Sequence, residues 1–485
     1  MNVQRTTSNS VAASPDLRPD PQPSDRLGAR SVVLVFIVTF LVYAASPVRQ
    51  NYDSYLAFPT AQSIVHDRDV YLDEFDAAPI LAHAGLVEVA DGRVANYFPW
   101  VPSLLLVPSV VVLDAAEVVG VGSGSVAVAN GGSMDVIQVL TASLVVAAVV
   151  ALMVVVLFER LPRSVSHRRR YAVATAFLFA FGTAAWSTAS RAVWQHGPSM
   201  LCLAAAVLLI QRLLTRSTGR PTWTATWLGT AVALAYTVRP TNSIVVVVLT
   251  LLVVLALRSS IRWYFMGAAL VAIPWIAVNL VMYESVLPPY YTGSRLSFHD
   301  DFFEAVAANL VSPARGLLVF TPILLFVVVR WTRSASRFVR PELRTLDLAL
   351  TLIVVLYLVA VSSLTDNWWA GHSFGPRFMS DTLVALACLL VPLGPMVVGA
   401  WQRFSEKRQF GADMALAVGV VLALAWGLAV NAEGATMRST LCWNGDPNVD
   451  ENVERIWSVT DGQVVSGFAA LLEDGPREAF LTDCR

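Results

Sequence analysis

The chain has 485 residues, of which 56% are hydrophobic and 14% are charged. One soluble core could not bury that much apolar surface, so the composition predicts a protein that crosses a membrane several times. The formal net charge of -1 excludes a basic nucleic-acid-binding protein, because such a protein needs a cationic surface to neutralise phosphates.

The apolar stretches predict an all-α polytopic membrane fold with three parts. Residues 1–30 are rich in Ser, Pro, Asp and Arg and are expected to form a disordered cytoplasmic arm. Residues 31–430 form the membrane domain, and residues 431–485 form an extracytoplasmic tail in which Cys442 and Cys484 are expected to pair. With about 20 apolar residues per span, we predict eleven spans, at 31–49, 135–158, 171–187, 196–214, 223–238, 242–257, 261–283, 314–330, 346–364, 379–400 and 412–430.

The arginines set the predicted orientation. Cytoplasmic loops of membrane proteins carry an excess of Lys and Arg, which assigns five Arg-bearing connections to the cytoplasm. If the apolar segment 97–118 crossed the membrane, the Arg-rich connection 159–170 would lie outside the cell. However, Pro99, Pro102 and Pro108 make this segment a poor continuous span. We therefore predict a juxtamembrane or re-entrant helix there and one large extracytoplasmic loop over 50–134. The five Arg-bearing connections are 159–170, 212–220, 258–262, 330–344 and 402–408.

Asp53 stands out because it closely follows the first apolar run. A carboxylate just outside the hydrocarbon keeps its charge, since water still reaches it, and it can meet the head of a lipid-linked molecule held in the bilayer. The alternative is an ordinary solvated loop acid. The chemistry of the remaining outer loops favours the first interpretation.

Further arginines and aromatic residues lie at the outer ends of the predicted spans. Arg191 and Arg315 are candidates for binding a phosphate, and Arg315 lies at the start of a span, where the helix dipole also favours an anion. His196 is a candidate for binding a hydroxyl, and Tyr291 for stacking on a sugar. Anchoring at the membrane interface is the alternative for all four residues.

The stretch DNWWAGHSFGPRF (366–378) combines the most chemistry in one loop. The indole faces of Trp368 and Trp369 suit carbohydrate C–H surfaces, and His372 can bind a hydroxyl. The Arg377 guanidinium suits a phosphate, which it can hold through two parallel hydrogen bonds. Loops of this composition are more often functional than structural.

Several motifs together resemble a known family. They are the first-loop Asp53, YFPW before a Pro-interrupted helix, TASRAVWQHGP, NLVSPARGLLVFTP and WWAGHSFGPRFMSD. In this combination the chain resembles bacterial membrane glycosyltransferases of the GT-C superfamily, the class that includes protein O-mannosyltransferases and aminoarabinose lipid A transferases. The resemblance extends over most of residues 31–400.

The resemblance implies an inverting transfer of a sugar from a polyprenyl-phosphate donor on the outer face of the plasma membrane. It implies Asp53 as general base and a glycan, lipid or protein as acceptor. Metal-using oligosaccharyltransferases carry further acids in the second outer loop, but residues 187–198 have none, so a divalent metal is not expected and no cofactor is implied. We assign the donor phosphate to Arg377, Arg315 and Arg191, in that order, and the sugar or acceptor to Trp368, Trp369, His372, Tyr291 and His196.

Two alternatives stay open at this point. A polymerase or ligase of lipid-linked surface glycans would use related donors and have a similar composition. A secondary transporter would instead place charged or Gly/Pro-broken helix centres in two related halves, and neither an internal repeat nor acids at the centres of spans are evident.

Overall fold

The computed structural model describes residues 26–50, 53–75, 85–131, 134–292, 296–407 and 411–481. In these residues the chain is mostly helical, with almost no sheet. One antiparallel pair of short strands, β1 (Leu86–Glu88) and β2 (Val94–Asn96), pairs Leu86 with Asn96 and Glu88 with Val94. The α-helices of eight residues or more are α1 (Ala29–Ala45), α2 (Ala57–His66), α3 (Val107–Val118), α4 (Met134–Arg160), α5 (Arg168–Phe181), α6 (His196–Leu214), α7 (Pro221–Val238), α8 (Ser243–Ala256), α9 (Ile261–Tyr283), α10 (Phe302–Val311), α11 (Arg344–Ser362), α12 (Leu383–Leu390), α13 (Leu393–Lys407), α14 (Ala412–Thr436) and α15 (Gln463–Glu473).

Short helical segments connect these helices. One of them, Ala185–Ala189, is a π-helix that lies before α6. The short α-helical segments are Ser125–Gly131, Pro289–Thr292, Leu317–Phe320, Arg333–Ser336, Ser439–Cys442 and Pro476–Leu481. The 3-10 segments are Ala90–Gly92, Val101–Leu105, Pro240–Asn242, Arg258–Ser260, Pro322–Trp331, Pro341–Leu343, Arg377–Thr382 and Val453–Trp457.

The protein is an all-α, multi-pass membrane protein. Within the described residues, five helical stretches are long and apolar enough to cross a bilayer, and a sixth is possible if Arg377–Leu390 and Leu393–Glu406, bent by 43° at their junction, form one span. The five stretches are Met134–Arg160, His196–Leu214, Arg258–Tyr283, Pro341–Ser362 and Ala412–Thr436.

The predicted count of eleven full-length spans does not agree with this structure. Each predicted range contains a helix, but several helices are too short at 1.5 Å per residue to cross about 30 Å of hydrocarbon. Helix α5 has 14 residues and ends before Gly182. The predicted span 314–330 is divided at Thr321 and Pro322 into a four-residue helix and a 3-10 helix. Apolar composition predicted where helices occur, but turns and prolines shorten them.

The first predicted loop, 50–134, has secondary structure of its own. It contains α2, the two strands and α3 in its described part, and α3 has 12 residues, or roughly 18 Å of helix. The segment 97–118 is therefore not one long helix. A 3-10 turn, Val101–Leu105, precedes α3, and prolines lie in the first turn of both elements.

The membrane core is centred on α4, which contacts α1, α5 and α6. Its buried face belongs to the largest apolar cluster of the protein. Helices α7 and α9 approach even more closely, through Gly229 and Gly267. A Cβ added at either glycine would lie 1.8 Å from a backbone carbonyl oxygen of the other helix. Small residues allow this contact, as is common between membrane helices.

The polar C-terminal region folds back on the membrane domain. Helix α14 continues to Thr436, and the chain beyond it contributes Trp443, Val449 and Ile456 to an apolar cluster with Trp368. Cys442 is disulfide-bonded, and its predicted partner Cys484 lies outside the described residues. The region predicted as a tail therefore packs against the loop that carries Arg377.

We expect Gly229→Ala to lower the thermal stability of the protein, because the new methyl group would force α7 and α9 apart. Overpacking of this kind typically costs about 1–3 kcal/mol. The melting temperature of the purified protein in detergent measures the effect. Gly219→Ala is the matched control, since a Cβ added at Gly219 would have no heavy atom within 4 Å. Equal melting temperatures for the two variants would contradict the close contact between α7 and α9.

Candidate functional site

A cleft lies where the N-terminal end of α6 meets the chain around Asp53, and its volume is about 470 Å³ when the open mouth is included. Five separate parts of the sequence contribute its walls: the first loop, the start of α6, the turn after α7, the helical turn Pro289–Thr292 and the turn that begins at Arg377. Its polar and aromatic lining residues are Asp53, Ser54, Asn96, Phe98, Trp194, Gln195, His196, Arg239, Tyr290, Arg377 and Phe378.

An ion pair between Asp53 and Arg377 is the central contact of the cleft. Arg377 Nη1 donates to Asp53 Oδ2 at 2.5 Å. The Arg377 side chain is 4% exposed, whereas the Asp53 side chain is 36% exposed. The cation is therefore buried in the wall, and the carboxylate stays accessible to a molecule that enters the cleft.

The Arg377 guanidinium is held by an aromatic face and has spare capacity to donate. Its central carbon lies 4.6 Å from the centroid of the Trp194 ring, a cation–π distance. The Nε atom has no hydrogen-bond partner among the residues that the structure describes. The Ser54 hydroxyl, on the cleft wall, also lacks one there. An anion or a hydroxyl group in the cleft could satisfy both atoms.

A second charged group lies beside this ion pair. The fully buried carboxylate of Asp381 accepts from Arg239 Nη1 at 2.6 Å and from His196 Nδ1 at 2.8 Å. Arg239 Nη1 also contacts His196 Nδ1 and lies 3.1 Å from His196 Nε2. The positive charges of Arg377 and Arg239 are thus balanced by the carboxylates of Asp53 and Asp381, in and beside the cleft.

The chain before Asp53 is tied to the segment before α6. The Gln50 side chain donates through Nε2 to the Ser187 carbonyl oxygen at 2.9 Å, and the Trp194 indole donates to the Gln50 carbonyl oxygen. The π-helix at Ala185–Ala189 supplies the Ser187 carbonyl. These contacts direct the first loop toward the cleft.

Arg191 does not line the cleft. Its fully buried guanidinium donates to the carbonyl oxygens of Tyr43, at 2.5 Å, and Ser46, at 2.9 Å, and to the Ser190 hydroxyl. These carbonyls lie at the C-terminal end of α1, where a helix leaves acceptors without i+4 donors, and the Tyr43 carbonyl also accepts from the Ser46 backbone N–H at 3.2 Å. Arg191 therefore holds α1 against the start of α6, and its donors are already engaged.

Arg315 also lies outside the cleft, buried between the loop 366–377 and the C-terminal region. It donates to the carbonyl oxygens of Trp369, at 2.7 Å, and Gly371, at 2.9 Å, and to the side chains of Asn444 and Gln463. Burial, and then the charge of Arg377, lower the pKa of Arg315 to about 9, so it remains a cation at neutral pH. It fastens the C-terminal region to the loop.

The structure places Trp368, Trp369 and His372 toward the C-terminal region and not in the cleft. Trp368 is buried in the cluster around Trp443. The Trp369 indole donates to Asp450 Oδ1 at 2.7 Å, and His372 Nε2 lies 3.0 Å from Asn448 Oδ1. These side chains join the loop to the folded C-terminal region.

Of the neighbouring tyrosines Tyr290 and Tyr291, only Tyr290 lines the cleft. The Tyr291 hydroxyl donates to the carbonyl oxygens of Tyr236 and Thr237, both at 2.9 Å, near the C-terminal end of α7. Both tyrosines belong to one helical turn, Pro289–Thr292, in which successive side chains point about 100° apart. A sequence motif does not say which of two such neighbours faces a site.

Arg239 and Asp381 belong to the site and its surroundings but were not predicted from the sequence. Asp381 lies within the predicted apolar span 379–400, and an ionisable residue inside a membrane segment is a sign of function that could have identified it. Arg239 precedes Pro240 in the turn between α7 and α8. No local pattern connects it with an acid 142 positions away.

Among the described residues, no group of three or more His, Cys, Asp or Glu side chains is placed to hold a metal ion. Comparisons with protein-family models, with curated proteins and with solved structures give no match. The site is therefore interpreted from its own geometry.

We expect Arg315→Met to loosen the C-terminal region from the membrane domain. The substitution keeps an apolar stem but leaves the Trp369 carbonyl oxygen without its Arg315 donor and removes one of two donors from Gly371 and Gln463, which costs on the order of 1–3 kcal/mol. Limited proteolysis within 439–481, followed by mass spectrometry, should proceed faster than in the wild type. Arg477→Met is the control, because Arg477 is exposed on the same region. Unchanged protection in Arg315→Met would contradict the fastening role.

Proposed function

We propose that the protein is a membrane glycosyltransferase of GT-C type, which moves a sugar from a polyprenyl-phosphate donor to an envelope acceptor with inversion. The observation that supports this most is the accessible Asp53 carboxylate paired with the buried Arg377 guanidinium in an open cleft. A sugar donor of this class brings its own leaving group. The enzyme then needs a base for the acceptor hydroxyl and cations for the departing phosphate.

In the proposed reaction, the Asp53 carboxylate takes the proton of the acceptor hydroxyl. The acceptor oxygen forms a bond to the anomeric carbon, and the bond from that carbon to the phosphate oxygen breaks on the opposite face. The electron pair leaves with the phosphate, which becomes a polyprenyl phosphate monoester with one more negative charge. Arg377 lies beside Asp53 and stabilises that developing charge.

The donor phosphate is assigned to Arg377 together with Arg239. Both guanidiniums line the cleft, and Arg377 Nε is available for a further acceptor. Arg315 and Arg191 are left out of this assignment, because their donors are engaged by carbonyl and side-chain oxygens outside the cleft. Phosphate binding would draw Arg377 partly away from Asp53 and free the carboxylate to act as a base.

The sugar is assigned to the lining residues nearest these charges. Trp194 and Tyr290 offer aromatic faces, and Gln195 and Asn96 offer polar atoms for hydroxyl groups. His196 lines the cleft, but both of its ring nitrogens already contact Asp381 or Arg239. Trp368, Trp369, His372 and Tyr291 support the site from outside it, since their side chains contact the C-terminal region or α7.

The proposed outward orientation of the cleft is supported by the C-terminal region. Stable disulfides form in oxidising compartments, and Cys442 is disulfide-bonded. The same region is joined to the loop before Arg377 through Arg315 and Gln463. We therefore assign the cleft to the extracytoplasmic side of the plasma membrane and residues 1–30 to the cytoplasm. The chain then crosses the membrane an odd number of times, and shorter apolar helices such as α1 are among the crossings.

We expect Asp53→Asn to lower sugar transfer by roughly 10²–10⁴-fold, because an amide keeps the volume of the side chain but cannot accept the proton. Transfer from a synthetic polyprenyl-phosphate monosaccharide, measured in detergent, gives the rate, and an oligosaccharide donor in parallel distinguishes a transferase from a polymerase or ligase. Asp67→Asn is the control, since Asp67 is exposed at the end of α2. Full activity in Asp53→Asn would remove Asp53 from the mechanism.

We expect Arg377→Ala to weaken donor binding more than Arg377→Lys, because lysine retains the charge but not the paired, planar donors of the guanidinium. The apparent donor affinity of each purified variant measures the difference. Arg49→Ala serves as the control, since Arg49 is exposed close to the first loop and does not line the cleft. Donor affinities equal to the wild type in both Arg377 variants would show that the phosphate is held elsewhere.

A further inference from the structure

A second, larger cleft opens at the opposite end of α6 from the candidate site. His196, at the first residue of α6, lines the Asp53 cleft, whereas Arg212, near the last residue, lines the second one. Helix α6 has 19 residues, or roughly 28 Å, which is close to the thickness of the hydrocarbon layer. The second cleft therefore lies at the headgroup level of the other membrane face.

The lining of the second cleft is strongly cationic. Its volume is about 1970 Å³ including the open mouth, and six of its lining residues are arginines against two glutamates. Arg212 is engaged by Glu159 through Nε and Nη2, at 3.1 and 2.6 Å. Arg340 lies 3.9 Å from Glu342. After these two pairs, the cleft retains an excess of four positive charges.

Three arginines carry much of this excess on exposed side chains. Arg163, Arg216 and Arg220 are exposed, and none of them forms an ion pair with another residue in the described part of the chain. They come from the connections after α4 and between α6 and α7. Their positions around one cavity leave several donors directed at whatever anion enters it.

The cleft also has an apolar wall. Phe158 and Leu161, at the end of α4, line it beside Pro162 and Pro341. Arg168 stacks on the Phe158 ring, with its central carbon 4.3 Å from the ring centroid. A soluble phosphate would contact only the arginines. A phospholipid would place its phosphate on the arginines and its glycerol and first acyl carbons on the apolar wall.

We propose that this cleft binds the headgroup of an anionic phospholipid. The ligand chemistry is a phosphate attached to an apolar chain, which the cationic rim, the apolar wall and the location at the ends of membrane helices all match. The site is independent of the sugar-transfer reaction proposed for the Asp53 cleft. Its occupation would hold the ends of α4, α6 and α7 together, since these elements surround the cleft.

The experiment compares lipid binding to the full-length protein and to two charge-matched variants. Arg163→Ala/Arg216→Ala/Arg220→Ala removes three cations from the cleft. Arg170→Ala/Arg258→Ala/Arg262→Ala removes three exposed cations at the same end of the bundle that do not line it. Each protein, delipidated in neutral detergent, is titrated with short-chain phosphatidylglycerol, with short-chain phosphatidylcholine and with inorganic phosphate, and bound lipid is counted by native mass spectrometry.

We expect phosphatidylglycerol to bind the wild type and the control variant alike and to bind the cleft variant about 100-fold more weakly, at roughly fivefold per arginine. Phosphatidylcholine should bind all three proteins weakly. Equal phosphatidylglycerol affinity in both variants would overturn the proposal. Inorganic phosphate binding as tightly as phosphatidylglycerol would overturn the lipid assignment in favour of a soluble phosphate ligand. Melting temperatures of the two variants measured without lipid confirm that both are folded.

Discussion

The ion pair between Asp53 and Arg377 is the contact on which the arrangement of the cleft depends. It joins residues 324 positions apart and brings the first loop onto the turn that follows the loop 366–376. A guanidinium that is 4% exposed has lost most of its hydration, so its donors need partners in the protein, and here one of them is a carboxylate. A donor phosphate is one anion that could replace Asp53. In the proposed mechanism, donor binding and release of the base are therefore coupled.

The buried arginines of this protein divide by the partners that they contact. Arg191 and Arg315 donate to neutral carbonyl, amide and hydroxyl oxygens, and such contacts fasten one chain segment to another. Arg377 and Arg239 pair with carboxylates at the cleft. Only the second kind has a charged partner that a substrate anion could displace. The C-terminal region supports the chain before Arg377 through Arg315 and Gln463. The Gln463 side chain accepts from Arg315 and also from the backbone N–H of Gly375, two residues before Arg377.

Three of the residues chosen from the sequence lie together in the structure. Asp53, His196 and Arg377 were chosen from separate motifs, and all three line one cleft. Arg315, Trp368, Trp369 and His372 were chosen from equally polar motifs, and their side chains meet the C-terminal region instead. Both groups of residues were chosen by residue type. A guanidinium or an indole suits a substrate and a protein carbonyl equally well. Motif chemistry alone could not separate the two groups.

The sequence by itself determined that this protein lies in a bilayer and where its long apolar helices are, because apolar composition decides burial in a bilayer wherever the chain folds. It did not determine the length of each helix, which turns, prolines and the π-helix at Ala185–Ala189 control. Only the tertiary structure paired Asp53 with Arg377 and Asp381 with Arg239. Such pairs join distant positions through packing, and no local spacing in the chain records them.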